Sequence, residues 1–464
     1  MGNLINEKIC GWKNLNSSEK EDVFNIGDKY IKFLNNSKTE RDANNTIVNE
    51  LESNGFININ TIDELNTGDK VYYNNRGKSV FAAVIGENKL EDGINLIGAH
   101  IDSPRLDLKP NPLYEDANLA LLKTHYYGGI KKYQWTTIPL AIHGVIVKPN
   151  GEKIKVCLGE DEEDPIFTIT DLLPHLATNQ SDKKLRDAIE GESLNLLVGS
   201  IPTDSEKDAI KENVLTILNE KYGIKEIDFT SSELEIVPAF KARSLGFDRS
   251  MVASYGQDDK ACAFATLNAI TNTNVSKFSQ VAIFADKEEI GSVGNTGMYS
   301  DTFDLFINLL LDKKNENLPG AINKLYCNSR MLSADVDAGV DPNYQDVSDK
   351  KNASVIGYGV VMNKYTGSRG KSGASDANAE YVAFIRNLFE TNGIKYQVSE
   401  LGKVDIGGGG TIAYILANKG IDVIDCGVPV ISMHSPYEVT SKFDIYNACC
   451  GYKAFFENDN TVNY

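Results

Sequence analysis

Short, mainly apolar segments constrain the fold of this chain more than any other feature. INLIGAH ends at His100 and QVAIFAD ends at Asp286, and both consist mostly of apolar residues with β-branched residues among them. Such runs are typical of strands that are buried on both faces of a sheet. From about Arg243 to the end of the chain, segments of this kind alternate with helical segments. The pattern predicts an α/β domain in three layers, α/β/α, with helices on both faces of the sheet.

The length and a change of character inside the chain predict a second domain. The 464 residues exceed what one hydrophobic core usually supports. After Leu106 the α/β alternation is lost, and TIPLAIHGVIV and EKIKVCL flank a Pro-Asn-Gly turn as in a β-hairpin. We therefore expect a discontinuous domain of residues 1–105 and 243–464, interrupted by an inserted β-rich domain of residues 106–242.

Charge and composition exclude several classes of partner. The formal net charge is -18, from 65 acidic and 47 basic residues, and such a surface repels phosphate backbones and anionic lipids. We expect no nucleic-acid partner and no membrane partner, because no apolar run reaches the roughly 20 residues of a membrane span. The first residues have no apolar core like that of a signal peptide. Seven cysteines without a C-x-x-C pair fit a reducing cytoplasm.

Polar residues with metal-ligand chemistry follow the predicted strands. They lie in five segments, GAHIDSP, GQDDKA, ADKEEIGS, SADVD and MHSPYE, and the stretch LYCNSRMLSA before the fourth is expected to be extended. Because ligands of α/β sheets bind outside the carboxyl ends of strands, these side chains are expected to meet there. Two imidazoles and several carboxylates can hold two divalent metals and leave one carboxylate as a proton acceptor.

Each segment also has an ordinary structural explanation when it is taken alone. A buried histidine beside a carboxylate is common, and adjacent acids are usually surface residues. Asp258 and Asp259 precede an apolar helix and could serve as its N-cap and first-turn acid. Only the combination of the segments favours a metal site.

The order of these motifs resembles that of the aspartyl aminopeptidase family of dinuclear zinc exopeptidases. The resemblance covers nearly the whole chain and is carried by GAHIDSPRLDLKP, GQDD, the Glu-Glu pair followed by Gly-Ser, SADVDAGVDPNY, GGGGTIA and MHSPYE. It implies a zinc-exopeptidase-like catalytic domain with an inserted dimerisation domain. It also implies removal of the N-terminal residue from short peptides by a water that two metals activate.

Residue by residue, the resemblance implies a full set of site roles. The implied metal ligands are His100, Asp258, Glu289, Asp335 and His434. His100 and Asp335 match one metal, Glu289 and His434 match the other, and Asp258 matches the carboxylate that bridges them. Asp102 matches the acid that orients a ligand imidazole, and Glu288 matches the general base. In the family a cis peptide follows the bridging aspartate, so one is expected between Asp258 and Asp259. Zinc is the expected metal, and manganese or cobalt are alternatives.

The resemblance extends to residues outside the metal set. His175, in the insert sequence LLPHLAT, matches a histidine that reaches the neighbouring subunit's active site, and its ordinary alternative is a polar residue on a small helix. Lys364 is the candidate to pair with an acidic substrate residue, and Gly408 and Gly409 are candidates for close backbone approach to the peptide. Dimers assembled into a tetrahedral dodecamer are implied.

Two other functions remain open at the level of sequence. A hydrolase with the same ligands could be a carboxypeptidase or an amino-acid deacylase, which would need a cationic pocket for a substrate carboxylate. A non-enzymatic scaffold could keep the fold without the chemistry. The presence of every ligand and of the base disfavours the scaffold.

Overall fold

A computed structural model describes residue 4 and residues 8–464. The helices are α1 (Ser17–Asn35), α2 (Glu40–Ser53), α3 (Thr178–Ser181), α4 (Leu185–Ala188), α5 (Ala209–Tyr222), α6 (Gln257–Thr271), α7 (Thr302–Lys313), α8 (Ala321–Cys327), α9 (Ala379–Thr391), α10 (Ala413–Ala417) and α11 (Lys442–Phe456).

The strands up to the middle of the chain are β1 (Ile57–Asn58), β2 (Lys70–Asn75), β3 (Ser79–Val84), β4 (Ile94–His100), β5 (Arg105–Asp116), β6 (Leu119–Tyr127), β7 (Leu140–Val147), β8 (Lys153–Leu158), β9 (Leu196–Gly199), β10 (Ser232–Pro238), β11 (Arg243–Leu245) and β12 (Met251–Ser254). Those that follow are β13 (Ser279–Ala285), β14 (Arg330–Ser333), β15 (Asp337–Ala338), β16 (Val360–Asn363), β17 (Gly367–Ser368), β18 (Tyr396–Ser399), β19 (Gly408–Gly409), β20 (Asp422–Gly427), β21 (Pro429–Val430) and β22 (Glu438–Ser441).

The chain divides into two compact units. The first contains residues 1–102, 242–433 and 437–464, and the second contains residues 103–241 and 434–436. Among the described residues, no helix is long and apolar enough to span a membrane.

A nine-stranded sheet organises the first unit, in the order β1-β2-β3-β13-β4-β14-β20-β16-β18. Its central strands β13, β4, β14 and β20 are parallel. Alternate residues of each strand point to opposite faces, as the period of a strand requires. On β4, Ile97 and Ala99 join one core cluster, whereas Ile94 and Leu96 join another.

Helices cover both faces of this sheet. One core cluster includes apolar residues of α1, α2, α6, α9 and α11, and the other includes residues of α7, α8 and α10. Strands that are buried on both faces are largely apolar, as INLIGAH and QVAIFAD are, and the polar Asn95 within INLIGAH is buried with its amide donating to the backbone oxygen of Phe455. The three-layer α/β/α prediction is confirmed.

The second unit contains an antiparallel sheet in the order β8-β7-β10-β5-β6-β9. β7 and β8 form the hairpin expected around the Pro-Asn-Gly turn, with Val147 opposite Lys153. α5 packs on the same sheet through Ile210 and Val214, which are buried. His175 lies in a short 3-10 helix, Pro174–Leu176, and its side chain is exposed.

Candidate metal centre

The parallel strands of the first unit bring three predicted segments to one edge of the sheet. His100 is the last residue of β4 and lies opposite Ala285, the last residue of β13. Ser333 ends the neighbouring strand β14 and pairs with Gly98. Because all three strands run in the same direction, the residues that follow Ala285 and Ser333 lie at the edge where His100 lies.

His100 is the residue around which the carboxylates gather. Its side chain is 2% exposed, and its Nε2 atom lies 3.3 Å from Asp258 Oδ1, 3.8 Å from Glu288 Oε2 and 3.9 Å from Asp335 Oδ1. These three carboxylates come from segments that are far apart in sequence. Their convergence on one imidazole nitrogen agrees with the arrangement expected from the sequence.

Asp102 holds the other side of the same imidazole. Its Oδ1 atom lies 3.3 Å from His100 Nδ1. The same carboxylate accepts the backbone N–H of Glu288 at 3.1 Å and that of Glu289 at 3.2 Å. One buried side chain therefore fixes both the histidine ring and the turn that carries the two glutamates.

The turn after β13 separates the two glutamates. They lie in a 3-10 helix, Glu288–Ile290. Lys287, the residue that precedes this helix, has a left-handed backbone conformation. Neighbouring residues of such a turn point in different directions, so the two carboxylates face different surroundings. Glu289 belongs to a group with His100 and Asp258 whose ligand atoms all lie within 4.8 Å of one another.

The start of α6 supplies Asp258 together with Asp259. The peptide bond between them is cis, as expected from the resemblance, and both residues depart from helical backbone angles. Asp259 Oδ2 accepts the backbone N–H of His100 at 3.2 Å. Asp259 also forms a second compact group with His100 and Asp335. Sequence reasoning assigned no ligand role to Asp259, and its position directly after Asp258 is the signal that could have suggested one.

The positive charge near these carboxylates is too small to neutralise them. Burial, with repulsion from Asp259, raises the pKa of Asp335 well above its usual value. Burial also raises the pKa of Asp259, and repulsion from Asp258 adds to it. Burial disfavours the charged form of His100, but its hydrogen bonds to Asp102 and Asp258 outweigh burial and raise its pKa. A bound cation would offset the repulsion between these carboxylates, because metal coordination stabilises buried like charges.

The donor atoms suit a borderline metal. Imidazole nitrogen and carboxylate oxygen are ligands of zinc, and manganese and cobalt accept the same set. The residues around His100 therefore fit a divalent metal.

His434 belongs to the second unit. Its Nδ1 atom lies 2.8 Å from the backbone oxygen of Gly129 and must donate to it, because a carbonyl can only accept. In the neutral ring this contact leaves Nε2 without a proton, which is the form that binds a metal. A Cβ atom on Gly129 would lie 3.3 Å from His434 Nδ1, so the glycine leaves room for the ring. The role of His434 as a ligand stays a prediction.

The residues proposed to bind substrate lie in the first unit. Lys364 Nζ lies 3.4 Å from Asp376 Oδ1, and Lys371 pairs with the same carboxylate at 2.9 Å. Gly408 and Gly409 form β19, which pairs with β17. Neither observation tests a substrate contact.

Known proteins resemble this chain over nearly its whole length. The model of the family described as Aminopeptidase I zinc metalloprotease (M18) matches residues 33–456. A probable M18 family aminopeptidase 1 of Clostridium acetobutylicum is 51% identical over 461 residues, which cover 98% of this chain and 99% of the relative. A probable M18 family aminopeptidase 1 of Thermotoga maritima is 46% identical over 443 residues, 95% of this chain and 97% of the relative.

Solved structures agree with these matches. The crystal structure of an M18 family aminopeptidase from Thermotoga maritima has a TM-score of 0.94 and 45% identity, covering 98% of this chain and 100% of that chain. Aminopeptidase I from Clostridium acetobutylicum has a TM-score of 0.92 and 49% identity, with the same coverage. The structure described as the mApe1 dodecamer of S. cerevisiae has a TM-score of 0.76 at 22% identity, covering 95% of this chain and 97% of that chain.

Proposed function

This chain belongs to the M18 family of zinc metalloproteases and is an aminopeptidase, and from that premise we propose a mechanism with two divalent metals and Glu288 as general base. The substrate is a short peptide with a free N-terminus. The observation that carries the proposal is the approach of Asp258, Glu288 and Asp335 to within 3.9 Å of His100 Nε2. Several carboxylates gathered around one imidazole repel one another, and their burial is costly unless cations are present.

The proposed ligands divide between the two ions. His100 and Asp335 would hold one metal, Glu289 and His434 would hold the other, and both would share the carboxylate of Asp258. The ligand atoms of His100, Asp258 and Glu289 lie within 4.8 Å of one another, so proposed ligands of both ions meet at Asp258. Zinc is the proposed metal, because the family is described as zinc metalloproteases.

Glu288 performs the proton transfers. Bound metals would lower the pKa of a coordinated water and polarise the scissile carbonyl. Glu288 takes the proton of that water and delivers it to the leaving amine. The side chain of Glu288 is 17% exposed, so it can face both the ions and an entering peptide. Asp102 fixes the backbone of Glu288, which keeps the base in place while the substrate changes shape.

Acidic N-terminal residues are the proposed preference, with Lys364 as the pairing cation. In the structure Asp376 already pairs with Lys364, so a substrate carboxylate would replace an existing acid rather than meet an isolated charge. Gly408 and Gly409 are proposed to let the peptide backbone approach closely.

Assembly completes the proposal. We propose dimers that form a tetrahedral dodecamer, with His175 reaching the neighbouring subunit's active site. The dodecamer described for the yeast protein and the exposed position of His175 support it. A cytoplasmic location is proposed because all seven cysteines are free.

Substrates with blocked termini test the reaction class. Aspartyl, glutamyl, leucyl and lysyl anilides should be hydrolysed, whereas their Nα-acetyl forms should not. A deacylase or carboxypeptidase would instead act on Nα-acetyl peptides that carry a free C-terminal carboxylate, and cleavage of such peptides would contradict the proposal. The zinc content of the purified protein, measured by mass spectrometry, should approach two ions per chain.

A further inference from the structure

Glu438 is a buried carboxylate that the mechanism above leaves without a role. It begins β22 and is 1% exposed. Resting on the proposed metal site, we infer that Glu438 is a positioning residue that fixes the main chain at Asp258 and thereby sets the affinity for the metals. It does not contact the substrate in this inference.

The contact is made to backbone rather than to side chains. Glu438 Oε2 accepts the N–H of Gln257 at 2.5 Å and the N–H of Asp258 at 3.1 Å. A carboxylate oxygen that accepts two N–H groups forms hydrogen bonds roughly twice as strong as neutral ones. The backbone of the bridging ligand is thus held by a charged acceptor.

The local chain conformation explains why such an acceptor is required. Gln257 and Asp258 begin α6, where backbone N–H groups have no partner within the helix. Asp258 has φ of -82° and ψ of 110°, so the chain is not yet helical there. The turn is buried, and a buried N–H group without a hydrogen-bond partner destabilises the fold. Glu438 satisfies both groups at once.

Glu438 is itself anchored on two sides. It lies opposite Ser254 in the antiparallel pair of β12 and β22. The side-chain amide of Gln257 donates to the backbone oxygen of Glu438 at 2.6 Å, and Tyr30 donates its hydroxyl hydrogen to Gln257 Oε1 at 3.1 Å. The Glu438 clamp, by which we mean the hydrogen bonds from the N–H groups of Gln257 and Asp258 to the Glu438 carboxylate, therefore ties Asp258 to strand β22. A ligand on a rigid support loses less freedom when it binds a metal.

Asp444 offers a matched control in the same unit. It is also buried, and its carboxylate accepts the N–H groups of Gly357 at 2.6 Å and Gly359 at 2.7 Å. As at Glu438, a buried carboxylate accepts two backbone N–H groups, here with one oxygen for each, but neither backbone partner is a proposed ligand. Loss of a buried carboxylate clamp should lower thermal stability in both places and change metal affinity in only one.

The test measures zinc binding to apoenzyme directly, by competition with a chromogenic zinc chelator. Glu438→Gln removes the charge, and Glu438→Asp keeps the charge but withdraws it by one methylene. We expect the dissociation constant for zinc to rise by about 10–100-fold in Glu438→Gln and by less in Glu438→Asp. Asp444→Asn should bind zinc as the wild type does, with a lowered melting temperature. If Glu438→Gln does not fold, Glu438→Asp still reports the geometric part of the effect.

The outcomes separate this inference from the proposed function. If the wild type binds no zinc, the proposed metal site itself is wrong. Wild-type zinc affinity in both Glu438 variants, with lowered stability alone, would make Glu438 a purely structural residue and overturn the inference. An equal loss of affinity in Asp444→Asn would overturn it too, because general destabilisation would then explain the result.

Discussion

The two units of this chain place their candidate functional residues in opposite surroundings. In the first unit, His100 and Asp102 are almost completely buried and have several partners each. In the second unit, His175 is exposed and lies beside Leu173 and Leu176, which are 56% and 72% exposed. The first set can be understood within one chain, because buried charges must be compensated there. Exposed apolar residues beside a histidine are typical of an interaction surface, whose function depends on a partner.

Removal of metal should have the largest effect. It tests whether the buried residues around His100 in the first unit bind metal. Dialysis against a chelator is expected to lower turnover by at least about four orders of magnitude, since water that is not bound to a metal keeps a much higher pKa. Zinc should restore it, and manganese or cobalt should do so in part. Anilide hydrolysis measures the effect, and circular dichroism checks that the apoenzyme stays folded. Full turnover by a metal-free sample would mean that the buried carboxylates serve only the fold.

Glu288→Gln should follow, because it removes the proton acceptor and keeps the size of the side chain. We expect kcat to fall by about 10²–10⁴-fold, with two metals still bound. Steady-state kinetics and metal analysis on the same sample measure both quantities. Glu390→Gln, at an exposed glutamate of α9, is the control and should behave as the wild type. An unchanged rate in Glu288→Gln would exclude it as the base.

His175→Ala tests the other half of the comparison. If His175 helps to hold the tetrahedral intermediate of a neighbouring subunit, its loss should lower kcat by about 10²–10³-fold. His125→Ala, at another exposed histidine of the same unit, is the matched control. Mixing His175→Ala with Glu288→Gln subunits should recover part of the activity, because each site draws on two chains. No recovery and no loss would leave His175 an ordinary surface residue.

Asp102→Asn should have a smaller effect. The amide can still accept one backbone N–H, but it can no longer stabilise the His100 ring by charge. We expect zinc affinity or kcat/KM to fall by about 10–100-fold. Zinc competition and kinetics distinguish the two effects. Wild-type values for both would show that the contact with His100 is incidental.

Asp425→Asn should have the smallest effect, and the effect should be on stability. It tests whether a buried carboxylate near these strands can be removed without loss of metal binding. Burial raises the pKa of Asp425 to about 6, and Thr411 donates a hydrogen bond to it at 2.7 Å. Because the pKa is raised in the folded state, its contribution to stability is present below about pH 4 and is lost as the pH rises through about 6. The variant should therefore gain at most about 3 kcal/mol over the wild type at pH 8 and little at pH 4. Urea unfolding at both pH values measures this, and equal destabilisation at both would contradict the assignment.

Much of the first unit could be predicted from the sequence because its signals are local. A strand that is buried on both faces must be apolar, and a charged residue at its end needs compensation, so His100 and the Glu288-Glu289 pair were visible from INLIGAH and QVAIFAD. The stretch LYCNSRMLSA was expected to be extended, but α8 ends at Cys327 and only Arg330–Ser333 form a strand. Leu325 and Tyr326 are buried against the sheet, and tertiary packing decided their conformation.

The contacts that join distant segments could not be predicted. Glu438 was visible as part of MHSPYE, but nothing local shows that its carboxylate meets the backbone of Gln257 and Asp258. The ligand role open to Asp259 has the same cause, because it depends on the position of Asp335. The roles of His434, His175 and Lys364 stay predictions, since each depends on a partner outside its own segment.

The parallel register of β13, β4 and β14 has a consequence for how such a centre can change over time. Neighbouring strands lie about 4.8 Å apart, so the sheet sets the distance between the strand ends whatever the sequence of the loops that follow them. Insertions in the connecting loops can then alter the surroundings of His100 while the spacing of the strands is preserved. A shift of β4 by a single residue would instead turn His100, the last residue of that strand, to the opposite face.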